Sequence, residues 1–285
     1  MKRRRFLQIC AGAALAGQPA TASEWRGEAF GADVSLKLAG EAPMATVLAE
    51  IAAIEASFSL YRDSELTRLN AAGHGPGSDR MRTVLACAAR VHAATGGTFD
   101  PTVQPLWQAL ARGEDGRAER ASIGFDRIEI ASEIRLGTGQ GLTLNGIVQG
   151  HAADRIAALL AKAGLTDCLI DMGEYAALGG PYRLGIEDPA AGMLGTREIG
   201  SGGPRAMATS SPAALPLPGG SHILGPRGEA PHWSTVSVEG ESAMLCDAAS
   251  TAFVLMDARA IEKARAELGL GAVTLIDFDG NLSVI

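Results

Sequence analysis

Asp247 and Thr251 stand four residues apart in the run Ala-Met-Leu-Cys-Asp-Ala-Ala-Ser-Thr-Ala. On a helix both side chains leave one face, where a carboxylate and a hydroxyl can reach a single hard cation such as Mg2+. The same spacing also serves a structural end, with Asp247 steadying the first turn and Thr251 bonding back to the backbone. A second group is the helix entry Asn145-Gly-Ile-Val-Gln-Gly150. Gly146 and Gly150 let a ligand approach the backbone, and a helix N-terminus offers free N–H groups to an anion. This entry lacks the Gly-Lys-Ser/Thr of a phosphate-binding loop and the Gly-x-Gly-x-x-Gly of a dinucleotide fold, so close helix packing is an equal reading. The third is His222, in the turn-rich Ser-His-Ile-Leu-Gly-Pro-Arg-Gly. A histidine there can act as a base, bind a phosphate, or be structural. No serine sits in a Gly-x-Ser-x-Gly elbow, so a hydrolase triad has no support.

The elements that must position these groups follow from periodicity. Alternating apolar residues over 25 to 38 predict strand, interrupted at Phe30-Gly-Ala-Asp33. Val47, Leu48, Ile51, Ile54 and Phe58 predict a helix with Pro43 near its start, and Ser78 is the expected N-cap of the next. Residues 98 to 106 form a shaped loop entering a short helix. Two strands are predicted over 125 to 145 around the turn 137 to 141, with an apolar strand at 142 to 144 leading into a helix from 147 to 163. Short strands and Gly/Pro turns follow from 168 to 238, then helices near 242 to 256 and 258 to 268, then a hairpin turning at Asp279-Gly280. The pattern is α+β without internal repeats, built of mixed or antiparallel sheets with packed helices. The nearest approach to a domain boundary is the loop-rich stretch 192 to 203.

Residues 1–22 read as a twin-arginine export signal: Arg3-Arg-Arg-Phe-Leu precedes a short apolar run, and Ala20-Thr-Ala22 supplies a small-x-small cleavage site. The mature unit is then 23–285, in the periplasm. Its loss of Lys2, Arg3, Arg4 and Arg5 moves the formal charge from −7 to −11. An acidic surface without clustered Lys or Arg argues against nucleic acid or anionic membrane as partner. Cys87, Cys168 and Cys246 remain, an odd number without Cys-x-x-Cys spacing, and are expected to be buried small hydrophobes.

Six stretches in order, from Phe-Ser-Leu-Tyr-Arg-Asp-Ser-Glu-Leu-Thr-Arg-Leu-Asn through Thr-Gly-Gly-Thr-Phe-Asp-Pro-Thr-Val-Gln-Pro-Leu, Asn-Gly-Ile-Val-Gln-Gly-His-Ala-Ala-Asp, Ala-Thr-Ser and His-Ile-Leu-Gly-Pro-Arg to Asp-Ala-Ala-Ser-Thr-Ala, resemble the ApbE family of FAD:protein FMN transferases. The Leu-Asn-Gly-Ile-x-Gln-Gly variant and the leader look most like its NosX branch, associated with nitrous oxide respiration. The resemblance implies a single catalytic unit of ApbE-like, T-fold-like architecture. It also implies a job: FAD is split, FMN is attached through its phosphate to a threonine of an acceptor flavoprotein, here a NosR-like membrane protein with an FMN-binding domain, and AMP leaves.

By the same resemblance Asp247, Thr251 and the carbonyl of Gly146 hold Mg2+, and His222 assists transfer. Phe30, where the family usually has Met, and Tyr61, Thr98, Phe99, Asp100, Thr143, Gln149 and Leu224 match positions that contact FAD. For Asp100, capping the helix after Pro101 is an equal reading. Three charges common in the family are absent: Thr143 stands for Asp, Gln149 for Lys or Glu, and Gly225 for the Asp of His-x-x-Asp-Pro. Two other activities fit the same site: a non-catalytic FAD carrier, and a metal-dependent FAD pyrophosphatase with water as acceptor.

Overall fold

The computed structural model describes residues 22–218 and 220–285. Most of the export-signal stretch, 1–21, lies outside the described residues. Eight strands form the central sheet: β1 (Ala22–Ala29), β2 (Ala32–Ala39), β3 (Cys168–Asp171), β4 (Tyr175–Leu178), β5 (Ala206–Ser210), β6 (Thr235–Gly240), β7 (Val273–Ile276) and β8 (Leu282–Val284). They lie side by side in chain order, every neighbour antiparallel, so the sheet is one meander into whose connections all other elements are inserted. Between β2 and β3 come the helices α1 (Met44–Phe58), α2 (Glu65–Ala72), α3 (Asp79–Ala94), α4 (Gln104–Ala111) and α5 (Val148–Lys162). The helices α6 (Ala243–Phe253) and α7 (Ala258–Leu268) fill the connection from β6 to β7.

Period-two alternation sorts the sheet's residues to two faces. Val34, Leu36, Cys168, Ile170, Ala176, Ala206 and Val238 join the main core with the apolar faces of α1, α3, α5, α6 and α7. Leu169, Tyr175, Ala177, Met207 and Ile276 point the other way. There they bury Tyr182, Leu184, Ile186 and Ile199 of the hairpin Tyr182–Asp188 and Gly192–Ile199. Asp188 pins that hairpin to β6, its Oδ2 accepting from the hydroxyls of Ser234 at 2.6 Å and Thr235 at 2.7 Å.

The interruption at Phe30 is a two-residue hairpin turn, with Phe30 at φ 54° and Gly31 at φ 79°, the doubly left-handed pair that matches strand twist. Ser78 caps α3 through Met81 N, and α6 begins after Ser242. Two expectations are corrected. Residues 142 to 144 are not a strand: Leu142 and Leu144 are buried singly, and Thr143 N donates to Pro101 O at 2.9 Å, so no ladder can form. The pair over 125 to 145 shrinks to Glu129–Ile130 and Ile134–Arg135, turning at 131 to 133 rather than at 137 to 141. The stretch 192 to 203 holds half of the covering hairpin and is no boundary. Cys87, Cys168 and Cys246 are free, the last two fully buried. Among the described residues no helix is long and apolar enough to cross a membrane.

Candidate functional site

The α5–α6 contact builds the centre. Gly150 is glycine because a Cβ there would stand 2.2 Å from Ala243 O, so only a bare backbone lets the two helices meet. Asp154, one turn further along α5, accepts from Ser242 Oγ at 2.6 Å, Ala243 N at 2.8 Å and Met244 N at 3.1 Å, capping α6 from outside and fixing its start. That alignment aims Asp247 at the entry of α5, where its Oδ2 accepts from Gly150 N at 3.0 Å. Thr251, on the same face of α6, abuts Gly146: a Cβ on Gly146 would lie 2.7 Å from Thr251 Oγ1. The three residues assigned to metal by resemblance therefore converge around one helix entry. The loop's two glycines both serve close approach to α6, as the packing reading expects.

Oxygen donors surround this point. Ser210, at the end of β5, places its Oγ 2.8 Å from Ser250 Oγ and 3.4 Å from Thr251 Oγ1. Glu174, in the turn between β3 and β4, accepts from Thr209 N at 2.9 Å through Oε2. Gln149 lies across that turn, its Nε2 only 2.4 Å from where a Cβ on Gly173 would be. Asp171 closes the turn by accepting from Gly173 N at 3.0 Å. Its carboxyl is pushed up to about 6, chiefly by burial.

Asp247 is only 3% exposed. Burial pushes its carboxyl up to about 7, with the charge of Asp154 adding to the shift and the Gly150 amide opposing it. Glu174 is driven well above the carboxylate range by burial and by the charge of Asp247. Among the described residues no basic side chain pairs with either carboxyl. Two buried carboxylates without a cationic partner form a site that favours an added cation, and the set of carboxylate, hydroxyl and carbonyl oxygens suits Mg2+. Among the described residues no group of three or more His, Cys, Asp or Glu side chains is arranged to hold a metal, so a ligand set here draws on Thr251 and on backbone.

The remaining predicted residues form walls further out. Phe30, half-buried, donates its N–H to Glu55 Oε1 at 3.2 Å, and Arg62 Nη1 lies 3.4 Å from the other oxygen of that carboxylate. Glu55 thereby holds the Phe30 turn beside the segment bearing Tyr61, which is 59% exposed. Phe99 packs its ring into the main core, and its backbone is engaged as well: its N–H donates to Thr95 Oγ1 at 3.1 Å and its carbonyl oxygen lies 2.8 Å from His92 Nδ1. Asp100 is a cap: Oδ1 accepts from Thr102 N at 2.9 Å and Oδ2 from Phe125 N at 3.0 Å. Thr98 is buried, Thr143 is half-buried beside Pro101, and Leu224 is half-buried. A cavity of about 740 Å3 borders residues 96 to 100, lined by His92, Asp100, Arg120, Phe125 and Arg227, and none of the proposed metal residues reaches it.

His222 lies on the turn after the short strand Gly220–Ser221. Burial lowers its basicity, partly offset by the carbonyls of Pro212 and Leu215, and its Nδ1 is buried without a hydrogen-bond partner. No carboxylate orients the ring among the described residues, as the glycine at 225 foreshadowed.

Sequence reasoning missed Glu174, Asp171 and Ser210. Asp-Met-Gly-Glu, a turn directly after an apolar strand, carried a signal in its acids flanking a glycine. Ser210 closes the Ala-Thr-Ser stretch, but its place under α6 comes from sheet order alone.

Two glycine-packed helices laid on an eight-stranded antiparallel meander define an α+β fold. The ApbE family model matches residues 30–274, and the chain belongs to that family. An FAD:protein FMN transferase of Vibrio cholerae serotype O1 is 29% identical over 175 residues, covering 53% of this chain and 52% of that protein, so the chain spans about half the length of the curated relative it matches. The apo flavinyl transferase ApbE of Pseudomonas stutzeri shares the fold at a TM-score of 0.78, with 23% identity over 95% of this chain and 97% of that one. The ApbE protein of Thermotoga maritima does so at 0.81, with 21% identity over 92% and 96%. These likenesses establish the ApbE-like α+β fold.

Proposed function

We propose that the protein is a Mg2+-dependent FAD:protein FMN transferase, exported by the twin-arginine route to the periplasm. The observation that carries this reading is the convergence of Gly146, Asp247 and Thr251 on one helix entry, with Glu174 as a second buried acid whose charge couples to that of Asp247. Phosphoryl transfer needs positioning and charge stabilisation more than covalent chemistry. Gly146, Asp247 and Thr251 would hold the cation, which when bound offsets the charge of a pyrophosphate.

In the step itself, the acceptor threonine oxygen bonds to the phosphorus of the FMN half, the bridging P–O bond breaks, and AMP departs with that bond's electron pair. The threonine proton needs a base. We assign that role to His222, whose basicity is lowered by burial and whose buried Nδ1 has no hydrogen-bond partner. The Phe30 and Tyr61 walls and Leu224 supply apolar and aromatic surface for the flavin and adenine rings. Thr143 and Gln149 contribute hydrogen bonds in place of charge, which is tolerable where the cation carries the positive charge.

The leader Arg3-Arg-Arg-Phe-Leu and the uncharged Leu-Asn-Gly-Ile-x-Gln-Gly entry support a place in the NosX branch, with a membrane-bound, NosR-like flavoprotein as acceptor and a role in nitrous oxide respiration. A His222 ring held by backbone carbonyls, with no carboxylate behind it, favours one second reading, a carrier that binds FAD without cleaving it. Release of AMP separates the two: the transferase forms AMP only when FAD, Mg2+ and an acceptor domain are all present, and a carrier forms none.

A further inference from the structure

The turn that follows His222 is folded around a carboxylate. Gly225 has ordinary backbone geometry and is absent from the left-handed glycines, so its conformation alone would admit a side chain. Space does not: a Cβ there would stand 2.5 Å from Glu229 Oε2 and 2.6 Å from Glu229 N. The Glu229 carboxylate thus occupies the place a side chain at 225 would take, in a turn closed by Gly228 N donating to Gly225 O at 3.0 Å. Its Oε2 accepts from Arg227 N at 2.8 Å, and its Oε1 lies 2.7 Å from Arg227 Nη2, an ion pair without a well-aligned hydrogen bond.

Arg227 faces two ways. From the Glu229 carboxylate its guanidinium reaches across to the segment after α3, where Nη1 donates to Gly96 O at 2.8 Å and Nη2 to Thr98 Oγ1 at 3.3 Å. These are the side-chain hydrogen bonds that join the His222 turn to residues 96–98, some 130 positions away in the chain. A guanidinium presents its donors in a rigid fork, so fixing it on one side fixes what it grips on the other.

We infer that Glu229 is a positioning residue: it replaces the carboxylate missing at 225 and, through Arg227, sets the His222 turn against the Thr98 wall. The kinetic side of this inference rests on the transferase reading; the structural side does not.

The test uses the full chain as wild type, Glu229→Gln and Arg227→Met, the last serving if the first fails to fold. Amide hydrogen exchange, read without FAD, is expected to quicken about fivefold over residues 95–101 in either variant, as loss of a partly exposed ion pair implies. With FAD, Mg2+ and an acceptor domain, KM for FAD is expected to rise about fivefold while kcat stays within about twofold, the pattern of lost ground-state binding. Unchanged exchange at 95–101 overturns the latch. Faster exchange with an unchanged KM reduces the pair to a structural brace and overturns the positioning role. If wild type transfers no FMN, the functional reading fails, and exchange alone decides the latch.

Discussion

The backbone amide of Gly150 points at the carboxylate of Asp247, with N and Oδ2 3.0 Å apart across the junction of α5 and α6. One contact ties helix packing to the site's charge, because the glycine that allows the approach also supplies a donor to a carboxylate with no cation beside it. Substitutions on the two sides of this contact should separate fold from function.

Asp247→Asn removes a buried charge and keeps the shape. Metal-dependent FMN transfer is expected to fall by 100-fold or more, since a lost cation withdraws several kcal/mol of transition-state stabilisation. The thermal midpoint without metal should not fall, because an uncompensated buried carboxylate does not support the native state. Calorimetry without and with Mg2+ checks both: wild type should gain stability from the ion and the variant should not. A variant that transfers at the native rate would refute the metal assignment.

Gly146→Ala and Gly150→Ala are expected to differ in kind. At 146 the nearest atoms to the added methyl belong to the Thr251 side chain, which must turn aside to admit it, so activity and the response to Mg2+ should drop while stability falls by about 1 kcal/mol. At 150 it meets the backbone of Ala243, and forcing the helices apart should cost about 2 kcal/mol or more. Urea unfolding of both variants, set beside their transfer rates, distinguishes these outcomes.

His151 offers a pH-dependent test outside the site. It is 4% exposed, lies edge-on to Phe58 with ring centres 5.9 Å apart, and has an Nε2 without a partner. Its pKa is pulled down to about 4, chiefly by burial, with Arg80 of α3 and Arg155 of α5 adding to the shift and Glu50 of α1 opposing it. The unfolded chain therefore binds this proton more readily than the folded one. Between about pH 6.5 and 4, acidification should withdraw about 3 kcal/mol through His151 alone. Asp171, whose folded carboxyl is raised to about 6, acts in the opposite sense, so the quantity to measure is the difference between wild type and His151→Leu. That difference should grow as pH falls through this window and level off below it.

The glutamate beneath Thr209 was not among the residues singled out by pattern. Glu174→Gln is expected to raise the Mg2+ concentration for half-maximal activity about tenfold, because one of two carboxylates sharing a low-dielectric site loses its charge. A titration of transfer rate against Mg2+ decides it, an unchanged midpoint excluding Glu174 from the cation's surroundings.

What was legible in the chain were local signals. Val47, Ile51, Ile54 and Phe58 mark α1, Ser78 and Ser242 mark helix starts, and Asp247 and Thr251 share a face because helical spacing compels it. What was not legible depends on sheet order. Nothing near Ser210 says that β5 ends beneath α6, and Glu174 gains its setting only when Thr209 comes alongside from 35 residues away. Asp100 shows the reverse limit: the pattern left capping and ligand binding open, and the structure engages both its oxygens with Thr102 and Phe125. The loss of charge at Gly225, read from the chain as a gap, is filled by Glu229 because the turn folds back on itself.

The central claim is that this chain moves FMN from FAD to a protein threonine. Intact-mass spectrometry of a purified acceptor flavin domain, incubated with FAD and Mg2+ with and without this protein, tests it directly. The expected result is a gain of one FMN less one water on the acceptor, located on a threonine, seen only with the wild-type protein and absent with Asp247→Asn. An acceptor of unchanged mass, in a reaction where an established transferase modifies it, would contradict the claim.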